Sequence, residues 1–469
     1  MRIEENIERS GYFWLPGHDE YKAPGILRIF DGGNISLEIV GSFSNPAGSM
    51  EDLDEDMSIG RVVGHVEKAG LVTLENCMFI KRNYAFGGIA KSQIVVNWAI
   101  LGVAFDPSEE ILFDAFSASI EGLDEWLGIS GISLEMSDDY KSCSINYRHP
   151  SLFTLVDKDG MVVEVQFERN ITVSKKVKEA AVRQAAFIKV STKEPKKPEY
   201  FIDVFRKLRD FLSFATGEAV SLHSVSGTNT AITVEIEEGQ SEPAKMDIYY
   251  RITNHVDPRP KLELHSMLFR YGDIAENLGN VLELWLTLYD TIDSAMGLYF
   301  STKAGAHKYL NSHFLALAQA LETLHRRTSV ETVMSAEQFK VMLEILAEAC
   351  PDEHREWLLQ RLAYGNEIGL TRRVKRLLEP FSEHFGTKAQ QKKLARLITD
   401  TRNYLTHYDK KLLGKAAKGR DLWVVSQKME ALFQLHLLKT LNFSDEQVET
   451  ICFDRQALSQ KLKLQFDEQ

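Results

Sequence analysis

At 469 residues the chain is about three times the usual domain length, so two or three domains with ample buried core are expected. Its apolar fraction of 44% and charged fraction of 26% are those of an ordinary folded protein and exclude a disordered, collagen-like or coiled-coil chain. The net charge of −12 argues against a nucleic-acid binder taken whole, but it averages a net −17 over residues 1–300 with a net +5 over 301–469.

The opening "MRIEENIERSGYFWLPG" carries acids where a secretory signal has a basic end and an apolar core, and no later window reaches 18 uncharged apolar residues. The expectation is a soluble cytoplasmic protein without a membrane span. Cys77, Cys143, Cys350 and Cys452 are scattered, with no C-x-x-C spacing, so no disulfide framework and no metal site is read. No cofactor motif appears either: there is no Walker loop and no GxSxG elbow.

Residues 1–190 read as β-rich. Runs such as "GILRIF", "ISLEIV", "RVVGHV", "LVTLENCMFI", "SQIVVNWAIL" and "VVEVQFE" are separated by turn signals, which predicts a sandwich or barrel of antiparallel strands. Tyr12, Phe13 and Trp14 are expected in its core. An acidic insertion at 48–60 reads as a loop, and "STKEPKKPEY" at 191–200 as a linker. A helix follows, closed by Gly217, and then three strand-like runs, "AVSLHSVS", "AITVEIEE" and "MDIYYRIT". Residues 191–272 therefore either extend the first domain or form a small α+β lobe. From 273 to 469 the period becomes helical with short connections, which predicts an antiparallel all-α bundle. The fold class is α+β and multidomain.

Within this bundle, residues 372–428 carry a net charge of +10. Such a segment is either a polyanion footprint or a solvated helix face. It contains "TRNYLTHYD", residues 401–409. At about 100° per residue, Leu394, Leu397, Ile398, Thr401, Leu405 and Tyr408 form the stripe that faces the core. Asp400, Asn403 and His407 then line the opposite face, with Arg402 on the flank. A histidine titrating near neutrality beside a guanidinium that can hold a phosphate suits metal-free RNA cleavage. The bland alternative is a solvated helix end. An Arg followed five to seven positions later by a His occurs also at Arg259 and His265, where prolines make a helix-borne site a poor reading. One exposed His and Arg make a weak water-excluded site, so a second copy of the face, brought up by a two-fold dimer, belongs to the hypothesis.

"RNYLTH" resembles the R-x4-6-H motif of HEPN-domain ribonucleases, and "FLALAQALETLHRR", with Glu322, is similar to the first long helix of the Apea-like HEPN subfamily. "GYFWLPG" and "APGILRIFDGGNISLEIVGSF" resemble the start of the ApeA N-terminal domain. The resemblance implies a β-rich N-terminal domain joined to a HEPN ribonuclease bundle. It also implies metal-independent cleavage of tRNA or other structured RNA, in anti-phage defence of the abortive-infection type. By carry-over Arg402 and His407 are the catalytic pair, with Asn403 assisting and Glu322 a further member. Such nucleases work as homodimers or higher even oligomers through the motif helices, and a phage-derived trigger is expected to release them.

Arg372, Arg373, Lys375 and Arg376, with Lys410 and Lys411 after the motif, are expected to hold RNA phosphates or to form a solvated basic face. His325 and Arg326, near Glu322, either support the site or are cations at a helix end, the preferred reading. Two rival functions stand beside the nuclease. One is a non-catalytic HEPN protein that binds RNA or a partner. The other is an enzymatic β domain, for which no paired carboxylates stand out.

Overall fold

The computed structural model describes residues 1–41, 43, 57–82, 91–173, 180–237, 240–252 and 255–466. The acidic segment at 48–60 lies outside them as far as residue 56. The chain divides into two compact units, Met1–Glu283 and Leu284–Gln469.

In the first unit, β1 (Ile7–Trp14), β2 (Ala23–Phe30), β3 (Asn34–Val40), β4 (Ser58–Val66), β5 (Gly70–Arg82) and β6 (Lys91–Val96) close a six-stranded antiparallel barrel. Its circuit runs β4-β1-β2-β3-β6-β5, with β5 pairing back to β4. Alternation sends Phe13, Leu27, Ile29, Leu37, Val62, Val72, Leu74 and Ile94 inward. Phe13 fills the interior because two glycines make room for it. A Cβ on Gly64 would lie 2.6 Å from its ring and one on Gly25 3.1 Å from it. Of the opening aromatics, Phe13 and Trp14 are buried, but Tyr12 is 57% exposed, which corrects its placing in the core.

The sheet continues out of the barrel through β5. Next come β7 (Trp98–Leu101), β8 (Phe113–Ile120), α1 (Leu123–Leu127), the hairpin β9 (Ile132–Met136) and β10 (Cys143–Tyr147), β11 (Phe153–Lys158), β12 (Met161–Val173) and β13 (Ala180–Lys196). The stretch read as a linker is therefore strand and helix. Ser191 and Thr192 pair with β12, and Pro195 is accommodated where the register with β8 shifts between Ser191 and Lys196. Pro198 then opens α2 (Pro198–Thr216), where a missing N–H costs nothing, and Gly217 closes it at φ 80°. Helix α2 lies on β8 and β13, with Phe201 stacked on Phe116 at 4.6 Å.

Of the three later runs, β14 (Leu222–Thr228) pairs with β8, while β15 (Thr233–Glu237) makes a separate hairpin with β16 (Gln240–Pro243). β17 (Met246–Tyr250) pairs with β7 and β14, so these strands belong to the main sheet. Helix α3 (Tyr271–Ile274) precedes α4 (Leu278–Lys303), which spans the division between the units.

The second unit is helical: α5 (Leu310–Thr328), α6 (Ala336–Ala349), α7 (Asp352–Leu362), α8 (Leu370–Leu378), α9 (Lys388–His407), α10 (Gly419–Thr440), α11 (Asp445–Asp454) and α12 (Gln456–Lys463). Helix α10 is buried nearly all round and is packed by α5, α8, α9, α11 and α12. It carries one buried carboxylate into the bundle. Glu430 is paired there with Lys303 of α4 and, at 2.7 Å, with Lys461 of α12.

Candidate active site

Helix α9 starts on a reciprocal cap. The Gln390 amide donates to Thr387 Oγ1 at 3.3 Å, and the Thr387 amide donates to Gln390 Oε1 at 2.8 Å. From that start the phase buries Leu394, Ala395, Ile398, Thr401 and Leu405. Asp400 and Asn403 are half-buried and His407 is exposed on the other side. Arg402 turns from the flank toward α5. Its Nη2 lies 3.5 Å from Glu322 Oε2, and its Nη1 donates to Asn403 Oδ1 at 3.1 Å. Three of the four residues expected at the site are thus in contact, two of them 80 positions apart in the chain. His407 stands about 7.5 Å further along the axis and about 140° round from Arg402.

Tyr408 is a correction. The helix ends at His407, the chain turns left-handed at Tyr408 with φ 52°, and the ring lies 68% exposed against Tyr404. The other Arg-to-His pair is no helical site. Arg259 and His265 fall where no described residue from 252 to 270 is in a helix or strand, and Arg259 is turned to Glu121 at 3.4 Å.

The basic cluster on α8 is neutralised from within. Arg372 and Arg376 both grip Glu331, the latter at 2.9 Å, and the Arg376 and Arg372 guanidiniums hold its carboxyl down at about 2. Arg373, placed by sequence on the phosphate-binding face, is 3% exposed and donates to Glu367 Oε2 at 3.0 Å. Lys375 is exposed, as are Lys410 and Lys411, which form a single 3-10 turn after the motif, capped by Asp409. His325 is likewise not a surface cation. It is buried, and burial and the neighbouring Arg373 lower its pKa and keep it neutral. Arg326 joins Glu322 at 3.2 Å to Glu367 at 2.9 Å, so the polar chain from Asn403 through Arg402 and Glu322 continues to α8. Glu331 and Glu367 escaped the sequence reading because no local pattern ties them to arginines on another element.

Residues 8–285, more than half of the chain, match the model of the ApeA N-terminal domain 1, and residues 315–447 match that of the Apea-like HEPN domain. The chain belongs to the ApeA family. The first match ends within two residues of the division between the structural units. The second takes in Glu322, Arg402, Asn403 and His407, and it gives the chain a nuclease or RNA-binding role in ApeA-type defence. No curated protein and no solved structure matches the chain. Among the described residues no helix is long and apolar enough to cross a membrane, and no group of three His, Cys, Asp or Glu is placed to hold a metal.

Proposed function

We propose that the protein is a metal-independent endoribonuclease that cuts tRNA or another structured RNA in the cytoplasm during anti-phage defence, in the manner of abortive infection. The observation that carries this reading is the meeting of Arg402 with Asn403 and Glu322 on the flank of α9, one and a half turns from an exposed His407. His407 takes the proton from a ribose 2′-hydroxyl, whose oxygen forms a bond to the adjacent phosphorus as the bond to the 5′-oxygen breaks, and the leaving 5′-oxygen takes a proton from water. The ends are a cyclic phosphate and a 5′-hydroxyl. Arg402 offsets the charge that builds on the phosphoryl oxygens, and Glu322 and Asn403 fix the plane of its guanidinium.

Arg402 and His407 of one chain point about 140° apart on the helix, which favours a homodimer, or a higher even oligomer, that brings two motif helices together. A phage-derived trigger would release the activity. The test is cleavage of tRNA in the presence of a chelator by the wild type, Arg402→Ala and His407→Ala. The wild type is expected to cut, and each variant to be slower by about 10²-fold to 10⁴-fold. Equal rates for all three would remove the assignment, and RNA binding without any cleavage would leave a non-catalytic RNA-binding role.

A further inference from the structure

The cations of the +10 segment are not equivalent. The arginines of α8 are held by Glu331 and Glu367. The cations at the start of α9 are not: Lys392, Lys393 and Arg396, with Lys415 and Lys418 from the loop before α10, are all exposed and make no ion pair among the described residues. These five surround one cavity of about 620 Å³ between α9 and that loop. Two carboxylates, Asp400 and Asp421, share its wall, so cations prevail there. The cavity has a fixed frame, since the Ala417 amide donates to the buried Thr401 Oγ1 at 2.8 Å and ties the loop to α9.

Helical phase connects this cavity to the candidate site. Lys392, Arg396, Asp400, Asn403 and His407 recur at intervals of four, four, three and four, so they share one stripe of α9. Arg396 and His407 are about 16 Å apart along it, which spans several nucleotides of a strand. Among the described residues Phe466 is the one aromatic side chain on the wall, so they give the cavity cations for phosphates but no platform on which successive bases could stack.

We propose that this cavity binds the phosphodiester backbone of an RNA strand several nucleotides away from the phosphate held at Arg402 and His407. The inference rests on the nuclease reading for the identity of the strand, and it assigns affinity to five residues outside the motif. The strand lies along the exposed stripe of α9. Its contacts there are to phosphates, so they anchor RNA without selecting sequence, and they weaken with salt.

The experiment uses the full chain and a fluorescently labelled RNA of about 20 nucleotides, with affinity measured by anisotropy across a salt series. Replacing all five cations by alanine is expected to weaken binding at least ten-fold near 100 mM salt. It should also lower the slope of log affinity against log salt by about 2 to 3, at roughly 0.7 per phosphate contact of a single strand. Exchanging the four lysines for arginine and Arg396 for lysine keeps the charge and should keep both quantities, which separates lost charge from misfolding. Arg402→Ala removes one phosphate contact and should lower the slope by about 0.7 at most, well short of the five-fold variant.

Unchanged affinity and slope in the five-fold alanine variant would overturn the proposal. So would thermal stabilisation of the wild type, but not the variant, by inorganic phosphate or adenosine monophosphate with RNA binding unaffected, because the cavity would then serve a small anion. A wild type that binds through the five cations but cuts no RNA would support this site while removing the nuclease reading.

Discussion

Thr401 lies on the apolar stripe of α9, and its hydroxyl is what that position hides. The side chain is fully buried and accepts the Ala417 amide at 2.8 Å, joining the loop that precedes α10 to the motif helix. Thr401→Val keeps the shape and strands a buried donor, so it should cost about 1–3 kcal/mol in chemical denaturation, while Thr401→Ser should cost less. A Val variant as stable as the wild type would mean that the amide finds another partner. The stripe itself was legible because it needs only the helical period, and Leu394, Ile398, Thr401 and Leu405 follow it. Tyr408 did not follow, because a period carries no notice of where a helix stops. Glycine or asparagine usually marks a left-handed end, and here a tyrosine takes it at φ 52°.

At the scale of elements, what the sequence concealed was mostly partnership. The four cations of α8 are plain to read, but the acids that bind its three arginines come from the connections around 331 and 367, and only packing brings those segments together. The same packing neutralises His436 on α10. Its Nε2 donates to the Leu377 carbonyl at 2.8 Å, its ring meets Phe381 edge-on, and burial pushes its pKa down to about 4. An unfolded histidine titrates near 6.5, so on acidification the unfolded chain gains its proton first. The stability due to a neutral His436 is complete above about pH 6.5 and falls by about 1.4 kcal/mol per unit toward pH 4. Urea midpoints measured across that range should show the decline in the wild type and a shallower one in His436→Gln. An identical slope in both would assign the acid sensitivity elsewhere.

For the molecule as a whole, strand runs and helical periods were enough to name a β-rich region and a helical bundle, since each is a local pattern repeated many times. The pairings of β1 with β4 and of β3 with β6 that close the barrel, and the reach of the sheet from β11 to β6, are long-range pairings that no run announces. Assembly is a still longer-range property, and on α9 the disposition of side chains argues for it. Glu322 draws Arg402 toward α5, while His407 is exposed about 140° further round the helix, and on the proposed mechanism a second chain brings the two groups to one phosphate. If two motif helices complete each other, activity follows the concentration of dimer. Specific activity per chain should hold constant at high concentration and fall in proportion to concentration once dilution passes the dissociation constant, in step with a monomer appearing by light scattering. A monomer that cuts RNA at an undiminished rate would place the complete site within a single chain.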